Sequence, residues 1–139
     1  MRRNLEVEEL GDLLEQPLLA VLATYRRDGG TLLSPVWHEW RSGGFHVATN
    51  GDGIKARHLR RDARASIVVC DHVPPYRGME VRGRARLLTD GAADAARRIA
   101  IRYLGAVDGA VHAERLMDDV LIRLEPGGLR AWDFTDEYA

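Results

Sequence analysis

The chain has 139 residues, of which 29% are charged and 45% apolar, and its formal net charge is −1. That length suits a single domain, 1–139, able to bury about 68% of its unfolded surface, and the near-neutral balance argues against a general nucleic-acid binder, which carries a large basic excess. One cysteine rules out an intrachain disulfide and a cysteine-built zinc site; with no signal peptide and no apolar run near the ~20 residues of a membrane span, the expected compartment is cytoplasmic.

Leu5 to Glu15 predicts an amphipathic helix, with Leu10, Leu13 and Leu14 on one side and Pro17 as its stop. Leu18 to Tyr25 is a continuous apolar run and predicts a strand buried on both faces. Arg26-Arg27-Asp28-Gly29-Gly30 turns the chain into a strand from Thr31 to Trp40. Pro35 removes a ladder donor inside that strand, so an edge, a bulge or an open backbone face is expected there. Arg41 to Gly44 turns again, and Phe45 to Thr49 is the next strand. Arg64 to Asp71 is strongly apolar, and Cys70 within it reads as a buried structural thiol. A Pro74-Pro75 loop follows. Met79 to Leu88 alternates, with Met79, Val81, Gly83, Ala85 and Leu87 inward and Glu80, Arg82, Arg84 and Arg86 outward. Asp90 to Tyr103 and Ala110 to Met117 predict helices, the first ended by Gly105. Asp119 to Glu125 and Leu129 to Thr135 are strands joined by a Pro126-Gly127-Gly128 turn. Seven strand candidates with helices inserted among them predict a mostly antiparallel barrel.

The stretch from Phe45 to Asp62 organises the rest. A strand ends in Asn50-Gly51-Asp52-Gly53, where glycine takes positive φ freely and Asn and Asp tolerate it. A short basic helix begins there, with Asp52 as its expected cap and Lys55 and Arg57 in its first turns. The unpaired N–H groups of a helix start favour an anion, and a lysine and an arginine suit a phosphate. The functional reading is a phosphate-holding corner; the plain alternative is a solvated basic helix. The five histidines, including His38 and His58, form no zinc-hydrolase pairing, and neither a nucleophile elbow nor a Walker loop is present. His38 and Glu39 are adjacent on a strand and read as surface residues. Trp37, Trp40 and Trp132 read first as core or interface. No metal site and no acid/base side chain is singled out, so any redox chemistry belongs to a bound cofactor.

Ser34-Pro35-Val36-Trp37, the run from Thr49 through Lys55-Ala56-Arg57-His58-Leu59-Arg60-Arg61-Asp62, Val81 to Ala85, and Arg102-Tyr103-Leu104-Gly105 resemble, in order and spacing, the pyridoxamine 5′-phosphate oxidase-like superfamily. The resemblance is to its branch that uses coenzyme F420, an 8-hydroxy-5-deazaflavin. It implies a split β-barrel with a few peripheral helices (mainly β, α+β), working as a homodimer with the cofactor in a groove between subunits. It implies that Lys55 and Arg57 hold the cofactor phosphate and that Ser34, Pro35, Val36 and Trp37 run along the ring system. Thr49 and Asn50 then lie beside the phosphate linker, and Trp132 approaches from the dimer seam. The implied activity is an F420-dependent oxidoreductase that passes hydride to a small unsaturated or aromatic substrate. The chain departs from the family run at His58, usually asparagine, and at His38, often aromatic. It also lacks the C-terminal arginine- and histidine-containing segment of true pyridoxamine phosphate oxidases, which argues against vitamin B6 oxidation. An FMN-binding enzyme of the same fold and a non-catalytic deazaflavin carrier are the alternatives. The acidic tail of the deazaflavin favours F420, because Arg60, Arg61 and the Arg82, Arg84, Arg86 row offer it cations.

Overall fold

A computed structural model describes residues 1–115 and 118–138. Its centre is one antiparallel sheet in the order β3-β2-β6-β7-β8-β5-β4, with β1 added to β8. The strands are β1 (Arg2–Arg3), β2 (Ala20–Tyr25), β3 (Thr31–Val36), β4 (Glu39–Arg41), β5 (Gly44–Thr49), β6 (Arg64–Cys70), β7 (Arg77–Leu88) and β8 (Val120–Asp133). The helices are α1 (Ile54–Arg61), α2 (Ala92–Leu104) and α3 (Ala106–Ala113). Leu10, Leu13, Leu22, Phe45, Ile67, Met79, Ile122 and Leu124 are all fully buried in one core that the curved sheet wraps. This is a split β-barrel with peripheral helices, as expected. No helix among the described residues is long and apolar enough to cross a membrane.

Two strands divide differently from the sequence pattern. The run from Thr31 to Trp40 breaks at Trp37-His38 into β3 and β4, which form the two opposite edges of the sheet. Pro35 sits in β3, bonded to β2 on one side only, so its missing donor costs nothing there. Pro126-Gly127-Gly128 does not turn the chain. It forms an irregularity inside the continuous β8, where the register with β7 shifts between Arg82 and Gly83. Gly83 is required at that crossing, since a Cβ there would lie 2.2 Å from the Glu125 carbonyl oxygen.

Leu5 to Glu15 is not one helix. It forms two 3₁₀ turns, Val7–Leu10 and Leu13–Glu15, separated at Gly11 with φ 62. The leucine pattern still served its purpose, because Leu10 and Leu13 enter the core. β2 buries Ala20, Leu22 and Thr24 and only half covers Val21, Ala23 and Tyr25, so it has one inner face rather than two. Cys70 is exposed at the end of β6, not buried. The second predicted helix starts earlier, at Ala106, and its expected end at Met117 lies outside the described residues.

Candidate functional site

A cleft of about 340 Å³ opens beside the free edge of β3. It is lined by Pro35, Val36 and Trp37, by Val47, Ala48 and Thr49 of β5, and by Ala96 and Ile99 of α2. Leu19, Lys55, His112 and Asp118 complete it. An edge strand presents backbone groups that the sheet does not use, so this edge offers hydrogen-bond partners to the rim of a flat ligand while its side chains are mostly apolar.

Trp37 stands in place because α2 holds it. Its ring stacks on Tyr103 with centroids 5.0 Å apart and planes 9° from parallel. The Tyr103 hydroxyl donates to the Leu18 carbonyl at 2.6 Å and accepts from the His38 N–H at 3.0 Å. One phenol thus ties the end of α2 to the segments carrying two cleft walls, Leu19 and Trp37. Neighbouring Arg102 donates to the carbonyls of Leu14, Glu15 and Gln16, closing the second 3₁₀ turn against the same helix end. These contacts explain why Arg102-Tyr103-Leu104-Gly105 stood out in the sequence.

The turn before α1 is held by a side-chain bond within it and by two from neighbouring elements. Asn50 accepts the Asp52 N–H at 2.8 Å, Asp119 accepts the Gly51 N–H at 2.7 Å, and Arg60 donates to the Gly51 carbonyl at 2.6 Å. The helix is capped at Gly53 without a side chain, so Asp52 is not the cap. His58 replaces the family's usual asparagine by sharing a hydrogen bond with Thr24 at 2.9 Å, both residues being buried, which pins α1 to β2. Burial holds the His58 imidazole below its ordinary range, helped by Arg61, Arg26 and Arg57.

Five residues singled out in the sequence meet in the cleft: Pro35, Val36, Trp37, Thr49 and Lys55. Ser34 and Asn50 flank it, on β3 and on the turn after β5. Arg57 does not join Lys55. It lines a separate depression with Arg27, Ile54, His58 and Arg61, because residues two apart on an α-helix diverge by about 200°. Trp132 lies in another depression, with Met1, Arg3, Asn4 and Arg130, and its ring packs over Gly78. Among the arginines offered to an acidic tail, Arg60 is engaged with Gly51 and Arg61 with the Tyr25 carbonyl. Arg82 and Arg86 pair with Glu80 and Glu125.

Two cleft residues carried no sequence signal. His112 lies on α3 with its ring 5.5 Å from that of Trp37. Asp118 follows α3; burial raises its carboxyl above the ordinary value, while Lys55 and, less strongly, His112 lower it. Only the fold brings these residues to Lys55. No group of three or more His, Cys, Asp or Glu able to hold a metal ion occurs among the described residues.

His38 is the other correction. It is fully buried rather than on the surface, edge-on to Phe45 at 5.3 Å, and neither ring nitrogen has a hydrogen-bond partner among the described residues. Burial, reinforced by Arg102, lowers its pKa from 6.5 to about 4. The unfolded chain therefore takes up this proton first, and folding stability falls as pH drops from above 6.5 towards 4. The loss is about 3 kcal/mol for His38 alone, with His46 and His58 acting in the same direction. Urea unfolding between pH 7.5 and 4 is expected to show this slope, and His38→Phe, which restores an aromatic, is expected to flatten it. Equal slopes in the two proteins would contradict the assignment.

A family model described as pyridoxamine 5′-phosphate oxidase matches residues 7–133. Among solved structures, the chain is similar to the conserved hypothetical protein Rv2991 from Mycobacterium tuberculosis, with 24% identity over 97% of this chain and 89% of that one and a TM-score of 0.79. It is similar to an F420 reductase at 27% identity, over 85% of this chain and 93% of that one, with a TM-score of 0.69. It also shares its fold with HutZ, a heme storage protein from Vibrio cholerae, at 18% identity, covering 88% and 92% of the two chains with a TM-score of 0.68. No curated protein matches the sequence significantly.

Proposed function

The chain belongs to the pyridoxamine 5′-phosphate oxidase-like split-barrel superfamily, and within it we propose an F420-dependent reductase that passes hydride to a small unsaturated or aromatic substrate. The observation that carries this reading is the cleft itself, where Pro35 and Val36 at the end of an edge strand and Trp37 just after it share one lining with Lys55 near the start of α1. Such a site matches a planar tricyclic ring with an anionic tail, apolar along its faces and charged at one end. The 27% identity to an F420 reductase, over most of both chains, supports the deazaflavin among flavin-type cofactors.

In this reading Lys55 holds the phosphate, Thr49 lies beside the linker, and the β3 edge meets the polar rim of the ring. Trp37, backed by Tyr103, fixes the ring plane and keeps water from one face. When bound, the reduced cofactor supplies the hydride. Asp118 beside Lys55 balances the ammonium until the phosphate arrives. Arg57 and Trp132 line depressions separate from the cleft, and in this reading their share in the site comes from a second copy across a two-fold axis.

Two measurements test the reading. Deazaflavin fluorescence and FMN absorbance titrations of the purified chain are expected to show tighter binding of F420 than of FMN. Lys55→Ala is expected to weaken F420 by about 10- to 150-fold, the worth of one charge-assisted contact. Preference for FMN, or unchanged affinity in the variant, would count against it. Sedimentation velocity is expected to find a dimer at micromolar concentration; a monomer that binds F420 fully would remove the second copy from the site.

A further inference from the structure

Saturating a conjugated double bond takes a hydride and a proton. The cleft described above accounts for where the hydride donor lies but not for the proton. Among the described cleft residues, the ionisable side chains are Lys55, His112 and Asp118.

Asp118 feels the charges of both Lys55 and, less strongly, His112, so all three belong to one cleft. His112 is set apart by its contact with Trp37, its imidazole 5.5 Å from the indole and tilted by 56° to it. It is half-buried, so it is held by the protein yet reached by water. The helix that carries it is firmly seated. Gly105, with φ 91, reverses the chain between α2 and α3. Gly109 then lets the two backbones touch, since a Cβ there would lie 2.4 Å from Ile101 Cα. A side chain on such an element keeps its place better than one on a loop.

We propose that His112 is the proton donor of this site when the substrate is a conjugated carbonyl compound. The inference rests on the deazaflavin reading above. The substrate's β-carbon forms a C–H bond with the hydride as the donor's C–H bond breaks, so the deazaflavin loses two electrons. The C=C pair moves toward the carbonyl as an enolate. The His112 imidazolium N–H bond then breaks and its proton goes to the α-carbon, after which the neutral imidazole takes a proton from water. Histidine suits this exchange near neutral pH. The apolar lining of Leu19, Val36, Val47 and Ile99 suits the hydrocarbon part of such a substrate.

The test uses the full chain with F420, 2-cyclohexen-1-one as substrate and 4-nitrophenolate as an enolate mimic, comparing wild type with His112→Gln and His112→Asn. F420 affinity is measured for each variant, and reduction is compared at saturating F420 so that any loss of cofactor binding is separated from loss of the proton donor. Both variants are expected to lose at least 100-fold in cyclohexenone reduction and at least tenfold in nitrophenolate affinity, read by its absorbance with and without F420. If F420 binds and either variant keeps wild-type reduction and nitrophenolate affinity within threefold, the role of His112 is overturned while the cofactor reading stands. If wild type binds no F420, the cofactor reading falls and takes the proposal with it.

Discussion

The phenol of Tyr103 is the contact on which the cleft depends. Its oxygen serves the Leu18 carbonyl and the His38 amide at once, and its ring backs Trp37. Without it, the crossing from β3 to β4 would have little to hold it, because both strands are sheet edges. An edge strand is an aggregation hazard unless it is managed. Here Pro35 blocks further strand pairing and α2 covers the far side, leaving a backbone edge free for a ligand. A feature that would weaken a central strand is placed where it protects the site instead.

Arginine does much of the remaining work, mainly as a structural clamp. Arg102 gathers three carbonyls of the first turns, and Arg123 donates to the Arg41 and Ser42 carbonyls, closing the β4–β5 turn. Arg77 joins Asp71, Asp12 and the Leu10 carbonyl, fastening the N-terminal segment to β7. A planar fork with several donors suits this bridging of carbonyls better than lysine does. The cleft itself receives one lysine rather than an arginine row.

The sheet was largely legible in the sequence because its signals are local. Alternation in Met79 to Leu88, glycines at turns, and the proline at an edge each act through neighbouring backbone. What stayed hidden depends on distant partners. The 126–128 segment reads as a turn from its residues alone; only the long β7 opposite makes it part of one strand. Leu5 to Glu15 has helical spacing, yet Gly11 at positive φ divides it. His38 looked like a surface residue because nothing local says that Tyr103 and Phe45 will enclose it. Lys55 and Arg57 looked like a pair until helix geometry sent them to different depressions. His112 and Asp118 reach the cleft through the packing of α3 on α2, and no spacing in the sequence encodes that.

The most direct measurement of the central claim is the F420 affinity of Tyr103→Phe, taken alongside its urea unfolding midpoint. Tyr103 is not among the residues lining the cleft, and the change removes only the oxygen that bridges the Leu18 carbonyl and the His38 amide. The account predicts about tenfold weaker binding, the worth of about 1.4 kcal/mol, in a variant that remains folded. Wild-type affinity in that variant would contradict it, showing that the cleft wall stands without the phenol.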